Sequence, residues 1–130
     1  GAQMAFAYAR ATVPRVCLTL RKSYGGAYIV MDSRYMGNDL MLAWPTAEIA
    51  VMGAKGAVEI LHRQADEAER EDLVAAYEER LLNPYIAAER GSVDRVIEPA
   101  DTRSELAAAL DVLSGKRERL PRRRHDNTPL

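Results

Sequence analysis

The chain holds one cysteine among its 130 residues, so no internal disulfide can form. Cys17 lies in an apolar run and reads as an inert core thiol rather than a nucleophile. Histidine is almost as scarce. His62 and His125 are far apart, with no cysteine or carboxylate at metal-ligand spacing, so both read as surface or helix-end residues and no metal is expected. Aromatic residues make up 6% of the chain, and beyond Trp44, Phe6 and the six tyrosines there are few large anchors. Alanine is used heavily instead, which predicts helices packed closely through small side chains. No apolar run approaches membrane-spanning length, and residues 1–10 lack the basic start and apolar stretch of a signal peptide. A soluble, cytoplasmic domain with no membrane partner follows as the expectation. The phosphate-loop ending Gly-Lys-Ser/Thr is missing from Gly53-Ala54-Lys55-Gly56, no glycine triplet matches the dinucleotide fingerprint, and the serines stand outside any nucleophile-elbow pattern. If the protein is catalytic, main-chain electrostatics must carry most of the chemistry.

What is present suits one compact unit, with apolar residues at 48% and a length common for a single domain. The net charge of -1 hides an uneven distribution. Residues 1–60 carry 6 basic and 4 acidic groups, residues 61–115 carry 6 and 13, and residues 116–130 carry 6 and 2. The acidic excess falls largely on residues 66–79, where Leu73, Tyr77 and Leu81 recur at helical spacing with Ala76 beside them, as in an amphipathic helix with a solvated face. The basic tail from Lys116 to Arg124 has no interleaved aromatics and no binding fold around it, so nucleic acid is not expected as a partner.

Helices and strands alternate, which predicts an α/β fold. Met4, Ala7, Tyr8 and Ala11 form a helical stripe that must stop before Pro14. Strands are expected over 16–20, 40–44, 48–52 and 93–97, and helices over 27–32, from Gly53 to about His62, and again over the acidic segment. The first strand is a nearly unbroken apolar run, as in a parallel strand covered on both faces. Asn83-Pro84 breaks the chain, and Thr102 with Glu105 has capping-box spacing before a last helix whose apolar face is Leu106, Ala109, Leu110 and Leu113.

Between the first strand and the helix after it stands Arg21-Lys22-Ser23-Tyr24-Gly25-Gly26-Ala27-Tyr28. Adjacent glycines adopt backbone angles closed to other residues and let a ligand approach the main chain. The first N-H groups of a helix lack intrahelical acceptors and carry the positive end of its dipole. The residues alone leave two readings open, a tight turn or a corner that binds an anion or oxyanion.

Beyond composition, Lys22 through Tyr28 resembles the matching run in carboxyltransferase β subunits of biotin-dependent acyl-CoA carboxylases, the propionyl-CoA and acetyl-CoA type. Ala43 through Gly53, Asn83-Pro84-Tyr85, Ala87 through Gly91, Val93-Asp94, Ile97-Glu98-Pro99 and His125 through Leu130 are similar to further family signatures in the same order. The resemblance covers essentially the whole chain. It implies a crotonase-like spiral of ββα units, here a partial domain. Residues 1–130 would be the C-terminal part of the C-terminal, biotin-side half, with the acyl-CoA half absent. It implies biotin as cofactor, carried covalently on a partner, and as partners a biotin carboxylase or biotin carrier subunit, an acyl-CoA substrate and further β subunits, a hexamer in the full-length family. By motif position the amides of Gly26 and Ala27 are the catalytic donors. Tyr24, Gly25, Gly26 and Ala27 form the biotin site, and Tyr28 and Ile29 belong to the substrate pocket. Ile29 stands where many propionyl-CoA enzymes of the family have an aspartate, which points to acetyl-CoA or a broad short-chain preference. Asp126 and Thr128 depart from the usual glycine and isoleucine, with no evident catalytic consequence. The alternatives are a non-catalytic assembly or partner-binding fragment and a biotin-dependent acyl-CoA decarboxylase subunit.

Overall fold

A computed structural model describes residues 1–120. The terminal motif from His125 and the arginines of the basic tail at 122–124 lie outside the described residues. The elements run α1 (Ala2–Arg10), β1 (Val16–Thr19), β2 (Lys22–Tyr24), α2 (Gly25–Val30), β3 (Leu40–Ala43), β4 (Glu48–Ala50), α3 (Ala54–Leu61), α4 (Glu67–Leu81), α5 (Pro84–Glu89), β5 (Arg95–Val96) and α6 (Thr102–Leu113), with single 3-10 turns at Arg34–Met36 and Pro99–Asp101.

Two ββα units follow one another, β1-β2-α2 and β3-β4-α3. Each gives its first strand to a three-stranded parallel sheet ordered β1-β3-β5 and its second to a two-stranded parallel sheet of β2 and β4. This is the spiral that the resemblance implies. The buried strand is β3 rather than β1. Met41, Leu42 and Ala43 are 0% exposed, whereas Val16, Cys17 and Leu18 are only half-buried. Met41 and Ala43 join Ala47, Ala87 and Val93 in one apolar cluster, and each large side chain so buried contributes about 1.5 to 3 kcal/mol. Asp94 holds the entry to β3, accepting from the Met41 amide at 2.7 Å while pairing with Arg34.

Several local expectations change. Lys22 through Tyr24 is a strand, because Lys22, Ser23 and Tyr24 pair in register with Glu48, Ile49 and Ala50. Helix α2 therefore begins at Gly25, two residues before the expected start, and ends before Asp32, which takes φ of 59°. Asn83-Pro84 breaks the chain after the acidic helix, as expected, and also starts the next helix. The Asn83 side chain accepts from the amides of Tyr85 and Ile86, both at 3.1 Å, and Pro84 occupies the first helical position, where its missing N-H costs nothing. The capping box at Thr102 and Glu105 does not form. Thr102 Oγ1 accepts from Trp44 Nε1 at 2.9 Å and donates to the Pro99 carbonyl, and Glu105 takes both Nη groups of Arg95 at 2.6 and 2.8 Å. The acidic helix matches its reading, with Asp66 as N-cap accepting from the Glu69 amide and Leu73, Tyr77 and Leu81 half-buried.

Asp39 fastens the segment after α6 to the first unit, accepting from the Arg15 amide at 2.8 Å and from Lys116 Nζ at 2.9 Å. Burial alone pushes the Asp39 carboxyl up, but hydrogen bonds from Lys116 and Arg15 outweigh it and hold the group below the usual carboxylate value. A carboxyl lowered by folding stabilises the native state above its unfolded pKa of 3.8 and loses that contribution as pH falls through the folded value. Asp39→Asn is expected to lower the melting temperature at neutral pH and to flatten the acid limb of the stability profile below that value. A parallel acid limb in the variant would contradict the assignment.

Candidate functional site

The strand-to-helix corner of the first unit rests on the second. At Gly25, φ is 59°, and a Cβ there would lie 2.9 Å from the Val51 carbonyl oxygen. Only glycine combines that backbone conformation with that approach. Gly26 differs: no atom lies within 4 Å of a Cβ built on it, and its φ is not positive. Gly26 and Ala27 are both exposed on the first turn of α2, whose leading amides have no intrahelical acceptor.

Two cavities flank the corner. An apolar groove of 370 Å³ is lined by Gly25, Gly26, Tyr28, Ile29, Tyr35 and Ile49, among others. The Tyr28 and Tyr35 rings meet edge to face at 6.3 Å. The Tyr28 hydroxyl is buried, with the Ser92 side chain as a weak hydrogen-bonding neighbour too poorly placed for a full bond. Burial first and Tyr35 second push the Tyr28 phenol pKa up, which keeps it protonated at neutral pH. A second, charged cavity of 590 Å³ takes Arg21, Lys22, Tyr24, Glu48, Gly53 and Lys55 among its walls. Tyr24 thus faces the charged cavity, while Gly25, Gly26, Tyr28 and Ile29 share the groove.

Tyr24 Oη donates to the Glu48 carboxylate. Burial, and then this hydrogen bond, push the phenol up to about 12, so it stays protonated and keeps donating throughout the physiological range. Sequence reasoning missed Glu48 because it missed β2. Once Lys22 is placed opposite Glu48, alternation along the strand puts Tyr24 on the same face as Lys22, within reach of that carboxylate. Cys17 donates weakly to the Met31 carbonyl at 3.5 Å, and burial, followed by Asp32, raises its thiol pKa, which suits an unreactive group. Among the described residues no group of three or more His, Cys, Asp or Glu could hold a metal, and no helix is long and apolar enough to cross a membrane.

Parallel ββα units with a glycine corner opening each helix define a crotonase-like α/β protein, and known structures agree. A transcarboxylase 12S crystal structure, described as a hexamer assembly with methylmalonyl-coenzyme A and methylmalonic acid bound, superposes with a TM-score of 0.93 at 46% identity, covering 99% of this chain and 25% of that one. The carboxyl transferase domain model matches residues 1–128, and the chain belongs to that family. The propionyl-CoA carboxylase beta chain of Saccharopolyspora erythraea is 54% identical over 140 residues, and the methylmalonyl-CoA decarboxylase subunit alpha of Propionigenium modestum is 50% identical over 137. Both alignments cover 100% of this chain and 26% of the relative, so the chain spans about a quarter of their length.

Proposed function

We propose that this chain supplies the biotin side of a carboxyltransferase that moves a carboxyl group between biotin and the α-carbon of a short-chain acyl-CoA. The open Gly26 at the mouth of an apolar groove, beside a Gly25 locked by the Val51 carbonyl, is the observation that carries the reading. A groove of 370 Å³ with mostly apolar walls beside the exposed first turn of α2 supports a place for the cofactor's apolar bicycle and its ureido oxygen. Carboxybiotin, presented by a carrier partner, supplies the carboxyl group. The Gly26 and Ala27 N-H groups would donate to its ureido oxygen, Gly25 sets the turn that leads into them, and Tyr28 and Ile29 wall the groove. No side-chain base is required of this segment: the ureido nitrogen that gives up the carboxyl group would take the α-proton of the acyl-CoA, and fixed main-chain donors in a water-poor site would each contribute about 3 to 4 kcal/mol to the developing oxyanion.

The thioester-binding half belongs to the remaining three quarters seen in the relatives, and an oligomer of β subunits with a biotin carboxylase or carrier subunit completes the enzyme. The same corner serves the reverse direction, a reading that similarity to a decarboxylase subunit favours.

The test is a chimera in which this chain replaces the matching quarter of the Saccharopolyspora erythraea beta chain, assayed for carboxyl transfer between methylmalonyl-CoA and free biotin. Transfer is expected, and Gly26→Val should lower it by about a hundredfold or more by closing the approach to the amides. Transfer indifferent to Gly26→Val would overturn the reading. In the same chimera Ile29→Asp is expected to shift the ratio of acetyl-CoA to propionyl-CoA turnover by about tenfold. An unchanged ratio removes Ile29 from the acyl pocket.

A further inference from the structure

The corner that presents Gly26 and Ala27 draws little support from its own short helix. Helix α2 is six residues long, its N-cap Tyr24 makes no side-chain capping bond, and its inward contact with the apolar cluster is made by Tyr28, beyond the corner. What fixes it comes from the next ββα unit, at two points. The Val51 carbonyl lies against Gly25, and the Tyr24 side chain is gripped by the Glu48 carboxylate at its hydroxyl and by Gly53 under its ring. A Cβ on Gly53 would come within 3.4 Å of Tyr24 Cε2, so the ring lies directly over that residue, at the N-cap of α3. Glu48 is half-buried at the head of β4, with its backbone amide bonded to the Arg21 carbonyl at 2.8 Å. One residue therefore holds both the main chain entering β2 and the side chain leaving it.

We infer that Glu48 is a positioning residue for carboxyl transfer: by accepting the Tyr24 hydroxyl it sets the direction in which the Gly26 and Ala27 amides point. This rests on the biotin-side reading above. Neither Glu48 nor Tyr24 lines the groove, so their effect reaches the ligand only through the backbone of residues 24–27. Tyr24→Phe and Glu48→Ala remove the same bond from its two ends, and their effects should not add. Glu48→Gln leaves a carbonyl that still accepts the phenol and should restore most of what Glu48→Ala loses.

The experiment uses the full-length chimera and measures kcat, the KM for free biotin and the KM for acyl-CoA, at a temperature well below the melting point of every variant. Tyr24→Phe and Glu48→Ala are each expected to lower kcat/KM for biotin about tenfold, a small misplacement of the reacting donors being enough, while the KM for acyl-CoA stays within twofold. The double variant should match the single ones and Glu48→Gln should stay within about threefold of the parent. If the parent is active and sensitive to Gly26→Val but these variants change only the melting temperature, Glu48 is structural and the inference fails alone. If the parent transfers nothing to biotin, or ignores Gly26→Val, the biotin-side reading fails and takes the inference with it. Additive losses, or equal losses with Glu48→Gln and Glu48→Ala, would also overturn the positioning role.

Discussion

Gly25→Ala is expected to destabilise this chain by about 2 to 4 kcal/mol, while Gly26→Ala, one residue on, leaves stability unchanged or raises it by up to about 1 kcal/mol. The difference is geometric. At Gly25 an alanine meets two penalties together, a left-handed backbone with φ of 59° and a Cβ 2.9 Å from the Val51 carbonyl oxygen. That oxygen belongs to main chain just beyond β4 and cannot rotate away, so relief requires the two ββα units to move apart. At Gly26 an added methyl group meets nothing within 4 Å and the backbone is already compatible, so the dominant effect is the smaller freedom of the unfolded chain. Function at Gly26 should not follow stability, since the Gly26 methyl group stands in the approach to the exposed amides. Urea unfolding of the two variants separates the terms. Equal destabilisation would contradict the conformation assigned to Gly25, and a Gly26→Ala variant that folds well yet transfers carboxyl groups normally would remove Gly26 from the site.

The same two residues show how far the sequence could be read. A pair of glycines after an apolar strand signals a turn or an anion corner, and no local pattern chooses between them. The shape of the corner depends on Val51 and Glu48, more than twenty positions away, which reach it because β2 pairs with β4. That pairing was illegible because Lys22-Ser23-Tyr24 is short, polar and half-exposed, with none of the apolar continuity that marks β3 at Leu40–Ala43. Where a segment carries its own period or cap the reading succeeds, as in α4 with Asp66 at its head. Where a residue serves a distant partner it fails: Thr102 and Glu105 have capping-box spacing but bond to Trp44 and Arg95. The specificity of the family signatures, by contrast, is carried by the motifs themselves and needs no contact map, so membership was visible in the sequence although the construction of the corner was not.

Arg15→Ala is expected to cost about 3 to 5 kcal/mol, the range for removing one partner of a buried ion pair. Arg15 Nη1 lies 2.7 Å from Asp32 Oδ1, and both side chains are 9% exposed, so little water can replace the guanidinium. The same group donates to the Tyr8 carbonyl at 2.8 Å and the Gly37 carbonyl at 2.5 Å, joining the end of α1, the second residue beyond α2 and the turn before β3. A lysine has one ammonium where three diverging acceptors need a fork, so Arg15→Lys should recover only part of the loss. Asp32 adds strain of its own, being a non-glycine residue at φ of 59°, and removing both charges in Arg15→Met/Asp32→Gly should therefore recover more stability than either single change predicts. The pH dependence gives an independent check. Burial raises the Asp32 carboxyl above its usual value even with Arg15 opposing it, and without Arg15 it must rise further. A raised carboxyl favours the folded state at low pH and withdraws that support as pH climbs through its folded value, so the deficit of Arg15→Ala should narrow on acidification as Asp32 takes up a proton. A deficit that is under about 1 kcal/mol at neutral pH, or that widens in acid, would show that Asp32 is hydrated and that the pair does not hold the first unit together.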